Sequence, residues 1–418
     1  MVSRRRQGTW IALLAALIAC AGTAARADQA TDNRAVAAFQ ARINSLKPPA
    51  AACAVKNPTH LCFGADLPFL NIHAPGQKAA RSILMIHGLG DSPYSMQVLA
   101  DLFYSYGYNV VGVLLPGHGR KSEDLLHAKL SQWQRAAEEG LHVAAAIGQR
   151  VSIAGFSTGG ALTLNLVRRN YKSAHPLDLQ DLFLFSPAIQ IHDRKAPVIC
   201  SLSPLDLAAF EAVHPWASVA PWAKAAAAGG GGPYQDYYDG RYAKMALNGV
   251  CQLQEQIEEN SATGRLPRLP LSITLPDLTP ALIGSLVQYK STVRVSPEII
   301  SDIKGHGLGV FTVESDSDTT VNPDAVIQFM RDLSGARAQF ILYPKADGIA
   351  HADVTRPDSP TNDAQRFAEI ENGIPAFLRA EAAASPVASV PAAAWRPVRL
   401  DKSASLQSLG LTPFGSRP

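Results

Sequence analysis

The chain has 418 residues, 47% hydrophobic and 17% charged, which is enough apolar material for one large core with insertions and too little charge for a disordered polyelectrolyte. Its formal net charge is +3; without residues 1–27, which hold Arg4, Arg5, Arg6 and Arg26, 34 basic residues face 35 acidic ones. A balance near −1 gives no general attraction to nucleic acid or anionic membranes, so neither is indicated as a partner.

Arg4 to Arg6 precede an apolar run from Trp10 to Ala19, followed by Ala25-Arg26-Ala27 ahead of Asp28. Charge, apolar stretch and small residues in that order are the layout of a secretion signal. Ten residues are too few to cross a bilayer. Residues 1–27 are therefore expected to be a signal peptide and the mature protein extracytoplasmic, periplasmic or secreted. Leu17-Ile18-Ala19-Cys20 also matches a bacterial lipoprotein box, in which Cys20 would carry a lipid anchor, and both cleavage sites stay open. No other stretch is apolar enough for a membrane span.

Four further cysteines follow, Cys53, Cys62, Cys200 and Cys251. In an oxidising compartment an even number favours bridges, and pairing Cys53 with Cys62 and Cys200 with Cys251 closes each loop inside one region. Unpaired buried thiols are the alternative. No Cys-x-x-Cys or nearby His spacing points to zinc.

Residues 28–80 read as a lead-in, with a helical stretch near Ala35 to Leu46, a break at Pro48-Pro49 and an edge strand near Phe69 to Ile72. From residue 81 strands and helices alternate. Ile83-Leu84-Met85-Ile86 is a strand apolar on both faces, as parallel sheets require, and it delivers His87-Gly88-Leu89-Gly90. A helix over Met96 to Tyr106, a strand over Val110 to Leu115 and an amphipathic helix over Leu130 to Ile147 come next. Val151 to Ala154 is a strand that breaks at Gly155-Phe156-Ser157-Thr158-Gly159-Gly160 and continues as a helix from Ala161. Such a G-x-S-x-G between strand and helix is a nucleophile elbow: only small residues at Gly155 and Gly159 let the two elements approach, and Ser157 is pushed out of the sheet. Leu182 to Phe185 is the next strand.

The alternation stops over residues 191–307, which hold short helical pieces broken by prolines and a glycine run at Gly229 to Gly232. A structureless loop of that length is improbable in a compact domain, so the stretch reads as a small helical cap. Trp216, Trp222, Tyr234, Tyr237 and Tyr238 fall inside it, either as an apolar pocket lining or as the cap's own small core. Its adjacent acidic pair, Glu258-Glu259, reads as a solvated helix face. The core resumes with a strand over Leu308 to Val313 that ends at Glu314-Ser315-Asp316-Ser317-Asp318, then a helix from Pro323 to about Leu333 and a last strand over Gln339 to Tyr343. His351 is the only histidine beyond that strand. A final helix through Ala364 to Ala380 leads into a tail over residues 382–418 rich in Ala, Pro and Ser.

Four separated pieces, HGLGDSP from His87, GFSTGG from Gly155, SDTTVNP from Ser317 and AHAD from Ala350, together resemble the α/β-hydrolase family over roughly Phe69 to Leu378. The resemblance implies a mostly parallel central sheet with helices on both faces, core segments at 81–190 and 308–381, and an inserted helical cap at 191–307. It also implies a catalytic triad in the order Ser157, Asp318, His351. Asp318 is selected over Asp316 because the family places its acid three residues before an apolar residue, here Val321, followed soon by a proline, here Pro323. The family's oxyanion donors fall on the backbone amides of Leu89 and Thr158. His87 and His118 read as loop-holding residues rather than bases.

The pieces are most similar to those of monoacylglycerol lipases and capped bacterial carboxylesterases. This implies a serine hydrolase of small-molecule carboxylic esters that needs no cofactor or metal, although the long insertion departs from the short lid of those enzymes. An acyltransferase or an aminopeptidase-like hydrolase on the same fold remains the alternative, and a non-catalytic binding protein would follow only if a triad member were missing.

Overall fold

The architecture is that of a computed structural model that describes residues 29–53, 66–217 (apart from 121, 194, 203 and 214), 245–265 and 293–384 (apart from 358 and 360). The expected signal segment with Cys20, the Cys62 half of the first cysteine pair, Trp222, Tyr234, Tyr237, Tyr238, the Gly229 to Gly232 run and the tail beyond residue 384 lie outside the described residues. Among the described residues no helix is long and apolar enough to cross a membrane.

Helix α1, residues 29–46, leads in and buries Phe39 and Ile43 in the main core. Strand β1, Phe69–Asn71, follows. The alternating part then runs β2, Ala79–Ile86; α2, Gln97–Ser105; β3, Tyr108–Val113; α3, Leu130–Ile147; β4, Gly148–Phe156; α4, Thr158–Lys172; and β5, Leu179–Phe185. After the insertion come β8, Gly309–Ser315, and β9, Ala338–Tyr343, the labels β6 and β7 falling to a small ribbon described below. Among the described residues, seven strands form one sheet in the order β1-β3-β2-β4-β5-β8-β9. All neighbours are parallel except β1, which pairs antiparallel with β3 at the edge.

Burial on both faces explains why the inner strands carry unbroken apolar runs. Along β2, Leu84 and Ile86 join Val111, Trp133, Leu162 and Phe329 in one cluster, while Ile83 and Met85 join Phe103, Phe183, Phe311 and Phe377 in the other. Successive side chains point to opposite faces, so each layer takes every second residue. The strand expected over Val110 to Leu115 sits two residues earlier, because its ladder with β2 ends at the Ile86–Val113 pair, where β2 turns into the His87 loop. Beyond that point the amide of Leu115 donates instead to His87 Nε2 at 3.0 Å.

Within the insertion the described residues form α5, Lys195–Cys200; α6, Pro204–Val213; a two-stranded ribbon of β6, Trp216–Ala217, and β7, Met245–Ala246; α7, Leu247–Asn260; and α8, Pro297–Gly305. Cys200 of α5 and Cys251 of α7 lie with their Cα atoms 5.0 Å apart and their sulfurs at disulfide distance. Helix α7 packs across α4 and α3. Helix α8 lies inside the span expected for the cap but packs as a core helix: it lies against α4, with Ile299 and Ile303 fully buried in the main cluster. Proline density upstream hid that boundary. Helices α9, Pro323–Asp332, and α10, Ala364–Ala384, complete the two helical layers.

Candidate active site

Strand β4 ends in register with β2, Gly155 opposite Ile86, so the loops that follow both strands emerge at the same carboxyl edge of the sheet. In open parallel sheets that edge is where ligands bind. Ser157 is the residue between β4 and α4, with φ 53° and ψ −113°. A non-glycine residue held there costs on the order of 1–3 kcal/mol, and the surrounding backbone enforces it. The Ser157 amide donates to Phe185 O at 2.9 Å, and its carbonyl accepts from the amides of Gly160 and Ala188, each at 2.9 Å. The flanking glycines are required by contact. A β-carbon on Gly159 would stand 2.0 Å from the Ile86 carbonyl oxygen, and one on Gly155 2.4 Å from the Gly159 backbone.

His351 arrives from the other side, in a single helical turn after β9, His351–Asp353. Its Nε2 is 2.8 Å from Ser157 Oγ and its Nδ1 is 2.5 Å from Asp318 Oδ2. An ionised carboxylate only accepts, so Nδ1 carries the hydrogen donated to Asp318, and Nε2 is left as an acceptor for the serine hydroxyl. Asp318 is held by its other oxygen, Oδ1, which accepts from the amides of Thr320 at 2.7 Å and Val321 at 2.9 Å. Ser157, Asp318 and His351 are 5%, 3% and 7% exposed, so the chain of hydrogen bonds runs in a water-poor environment where it is electrostatically strengthened. The competing Asp316 is exposed.

The His351 turn rests on residues for which the sequence carries no motif. Thr361 Oγ1 accepts from the Ala350 amide at 2.7 Å and donates to Asp353, whose Oδ2 also takes the Thr361 amide. Arg356 is buried over the Tyr94 ring, 4.1 Å from its centroid. Only contact partners eight or more residues away reveal these roles.

The loop after β2 comes against the elbow from the opposite side. A β-carbon on Gly88 would lie 3.3 Å from Ser157 Cβ. The amides of Leu89 and Thr158 donate to no acceptor among the described residues. The side chain of Leu89 reaches α7, where a β-carbon on Gly249 would meet its Cδ1 at 3.4 Å. The insertion thus touches the loop that carries one of these two amides.

His87 and His118 hold this loop. The Leu115 amide donates to His87 Nε2, so the ring hydrogen is on Nδ1 and goes to Gly88 O at 2.8 Å. Burial, and then the neighbouring His118, keep His87 well below its ordinary proton affinity. Burial likewise brings His118 down to about 4. A histidine depressed in the fold stays neutral where the unfolded chain takes up a proton, so its contribution to stability is complete above about pH 6.5. It is lost as pH falls towards 4, at most about 3 kcal/mol. Thermal midpoints between pH 7 and pH 5 are therefore expected to fall less for His118→Gln than for the unsubstituted protein. Equal falls would remove His118 from the acid sensitivity.

Glu258 and Glu259 are not on a solvated face. Glu258 is buried and accepts from Gln254, while Glu259 accepts from Gln134 at 2.9 Å and Arg265 at 3.2 Å. Periodicity within α7 could not reveal that α3 and α4 cover this side.

Residues 77–269 match the model of a hydrolase family described as serine aminopeptidase, S33. That span covers Leu89, Ser157 and Thr158, and the strand order around it has the single antiparallel edge and the strand–elbow–helix described above. The chain has the α/β-hydrolase fold. A thermostable monoacylglycerol lipase from Bacillus sp. (strain H-257) is 31% identical to this chain over 109 residues, 26% of the chain, and the match spans only 41% of the lipase's own length. Among solved structures, a soluble variant of monoglyceride lipase from Saccharomyces cerevisiae superposes with a TM-score of 0.47 at 15% identity, covering 75% of this chain and 90% of that one. A monoacylglycerol lipase from Paleococcus ferrophilus superposes with a TM-score of 0.45 at 11% identity, covering 75% and 98%.

Proposed function

We propose that this protein is a hydrolase that cleaves carboxylic esters through an acyl-enzyme, with Ser157 as nucleophile, His351 as general base and acid, and Asp318 orienting the imidazole. The observation that carries the reading is the continuous line Asp318–His351–Ser157, each link within 2.8 Å, beside two amides with no other acceptor among the described residues. Ser157 Oγ attacks the ester carbonyl while His351 Nε2 takes its proton, and the imidazolium formed is stabilised by Asp318. The Leu89 and Thr158 amides receive the developing oxyanion, each worth roughly 2.7–4 kcal/mol in the transition state. The amino end of α4 adds partial positive charge on the same side. His351 returns its proton to the leaving alcohol, and water repeats the cycle on the acyl-enzyme.

The family description raises a second reading, release of amino-terminal residues from peptides. A free amine calls for unengaged carboxylates near the site. The acidic pair of α7 is occupied, Glu258 by Gln254 and Glu259 by Gln134 and Arg265. This supports uncharged acyl esters of short to medium chain as substrates. Comparing p-nitrophenyl butyrate and octanoate with amino-acid arylamides tests the choice: the esters are expected to be cleaved at least 100-fold faster on the order of a missing buried counter-charge. Faster cleavage of an arylamide with a free amino terminus would reverse the assignment. The Arg4 to Ala27 layout supports an extracytoplasmic site of action, where oxidation of Cys200 and Cys251 is favoured.

A further inference from the structure

Beside the triad acid lies a carboxyl that the reaction as written does not use. Glu314, next to last in β8, is fully buried, and its Oε1 accepts from Ser186 Oγ at 3.1 Å and from the Ser315 amide at 2.8 Å. Its other oxygen, Oε2, is enclosed and meets no donor among the described residues, yet the side chain comes within hydrogen-bonding reach of the Asp318 carboxyl. Asp318 already accepts from two amides and from His351. Two ionised carboxylates at that range would repel one another strongly, whereas one shared proton converts the contact into an O–H···O⁻ bond.

The surroundings say which of the two holds the proton. Ser186, directly after β5, presents its hydroxyl to Glu314, β9 places uncharged Leu342 opposite it in register, and Asp318 is the ionisable side chain whose charge acts on it. Burial first, and then the Asp318 charge, push the Glu314 carboxyl well above the usual carboxylate range. Asp318 has amide and imidazole donors to stabilise its charge, and Glu314 has fewer. The orphaned oxygen is therefore the one that carries hydrogen.

We propose that Glu314 is a positioning residue: its protonated carboxyl donates to Asp318, holds that carboxylate against His351 and draws off part of its charge. The proposal rests on the triad reading above. It accounts for a buried acid that packing alone would replace with an apolar residue, since an unpaired buried carboxyl is costly.

The test uses full-length protein with Glu314→Gln and Glu314→Leu. Glutamine keeps a donor towards Asp318, so its turnover on a p-nitrophenyl ester is expected within about threefold of the unsubstituted enzyme, with the acid limb of kcat/KM unmoved. Leucine removes the donor: kcat is expected to fall about tenfold, the loss of one charge-assisted hydrogen bond, with KM little changed. Its acid limb should move to higher pH, because a carboxylate without that donor holds the imidazolium more tightly. Infrared difference spectra of the unsubstituted protein and Glu314→Gln provide a reading independent of how well the leucine variant folds, and should show a buried protonated carboxyl at neutral pH that the glutamine variant lacks. Absence of that band overturns the proposal, as does a folded leucine variant with unchanged kcat and acid limb, or equal losses in both variants with neither limb moved. Fluorophosphonate labelling separates the two levels. If Ser157 is labelled and the Glu314 results fail, only the Glu314 role falls; if Ser157 is not labelled, the triad reading falls first.

Discussion

Replacing Ser157 by alanine is expected to lower ester turnover by roughly 10⁴-fold or more, with the residue left coming from the oxyanion amides and substrate binding alone. The substitution deletes one oxygen and leaves the elbow intact, because the φ of 53° is imposed by the backbone bonds of Phe185, Gly160 and Ala188. Alanine at that φ is about as strained as serine, so the thermal midpoint should shift little in either direction. A steady-state rate with a p-nitrophenyl ester, beside a melting curve, reads both quantities. A variant that keeps more than a tenth of the turnover would show that another nucleophile does the work.

The second large effect is expected at the acid. Asp318→Asn should reduce kcat on the order of 10⁴-fold, while Asp316→Asn should stay within about twofold. The amide that replaces Oδ2 can donate, which favours the imidazole tautomer with its hydrogen on Nε2. His351 then points a donor at Ser157 and cannot take its proton. Asp316 is exposed and lies off the line to His351, so the same change there removes only a solvated charge. Parallel kinetics on the two variants check the ranking, and a larger loss at Asp316 would transfer the role to it.

What could be read from the chain differs from what could not in a physically consistent way. The elbow was legible because its motif is one short contiguous stretch: Gly155 is fixed by contact with the helix directly after its strand, whereas Gly159 is fixed by the Ile86 carbonyl at the end of β2. The inner strands were legible because burial on both faces forces apolar runs, as in Ile83 to Ile86. The candidate order Ser157, Asp318, His351 came from separated motifs, and the fold brings these three side chains within hydrogen-bonding distance of one another. Contacts between distant segments were not legible. Glu258 and Glu259 read as solvated because nothing within α7 announces that Gln134 and Arg168 reach Glu259 or that Glu258 is buried. Helix α8 was assigned to the cap because its partner, α4, lies more than a hundred residues earlier. Glu314 looked like one more acid in a loop, and only its burial beside Ser186, 128 residues away in sequence, marks it out.

The central claim is that Ser157, activated by His351 and Asp318, forms the acyl-enzyme. Labelling the full-length protein with a fluorophosphonate and mapping the modified peptide by mass spectrometry tests it most directly, since the reagent adds only to a serine that a base has made nucleophilic. The account predicts one adduct, on Ser157, absent from Ser157→Ala and strongly slowed in Asp318→Asn. An adduct on any other serine, or brisk ester hydrolysis by protein that takes up no label, would contradict it.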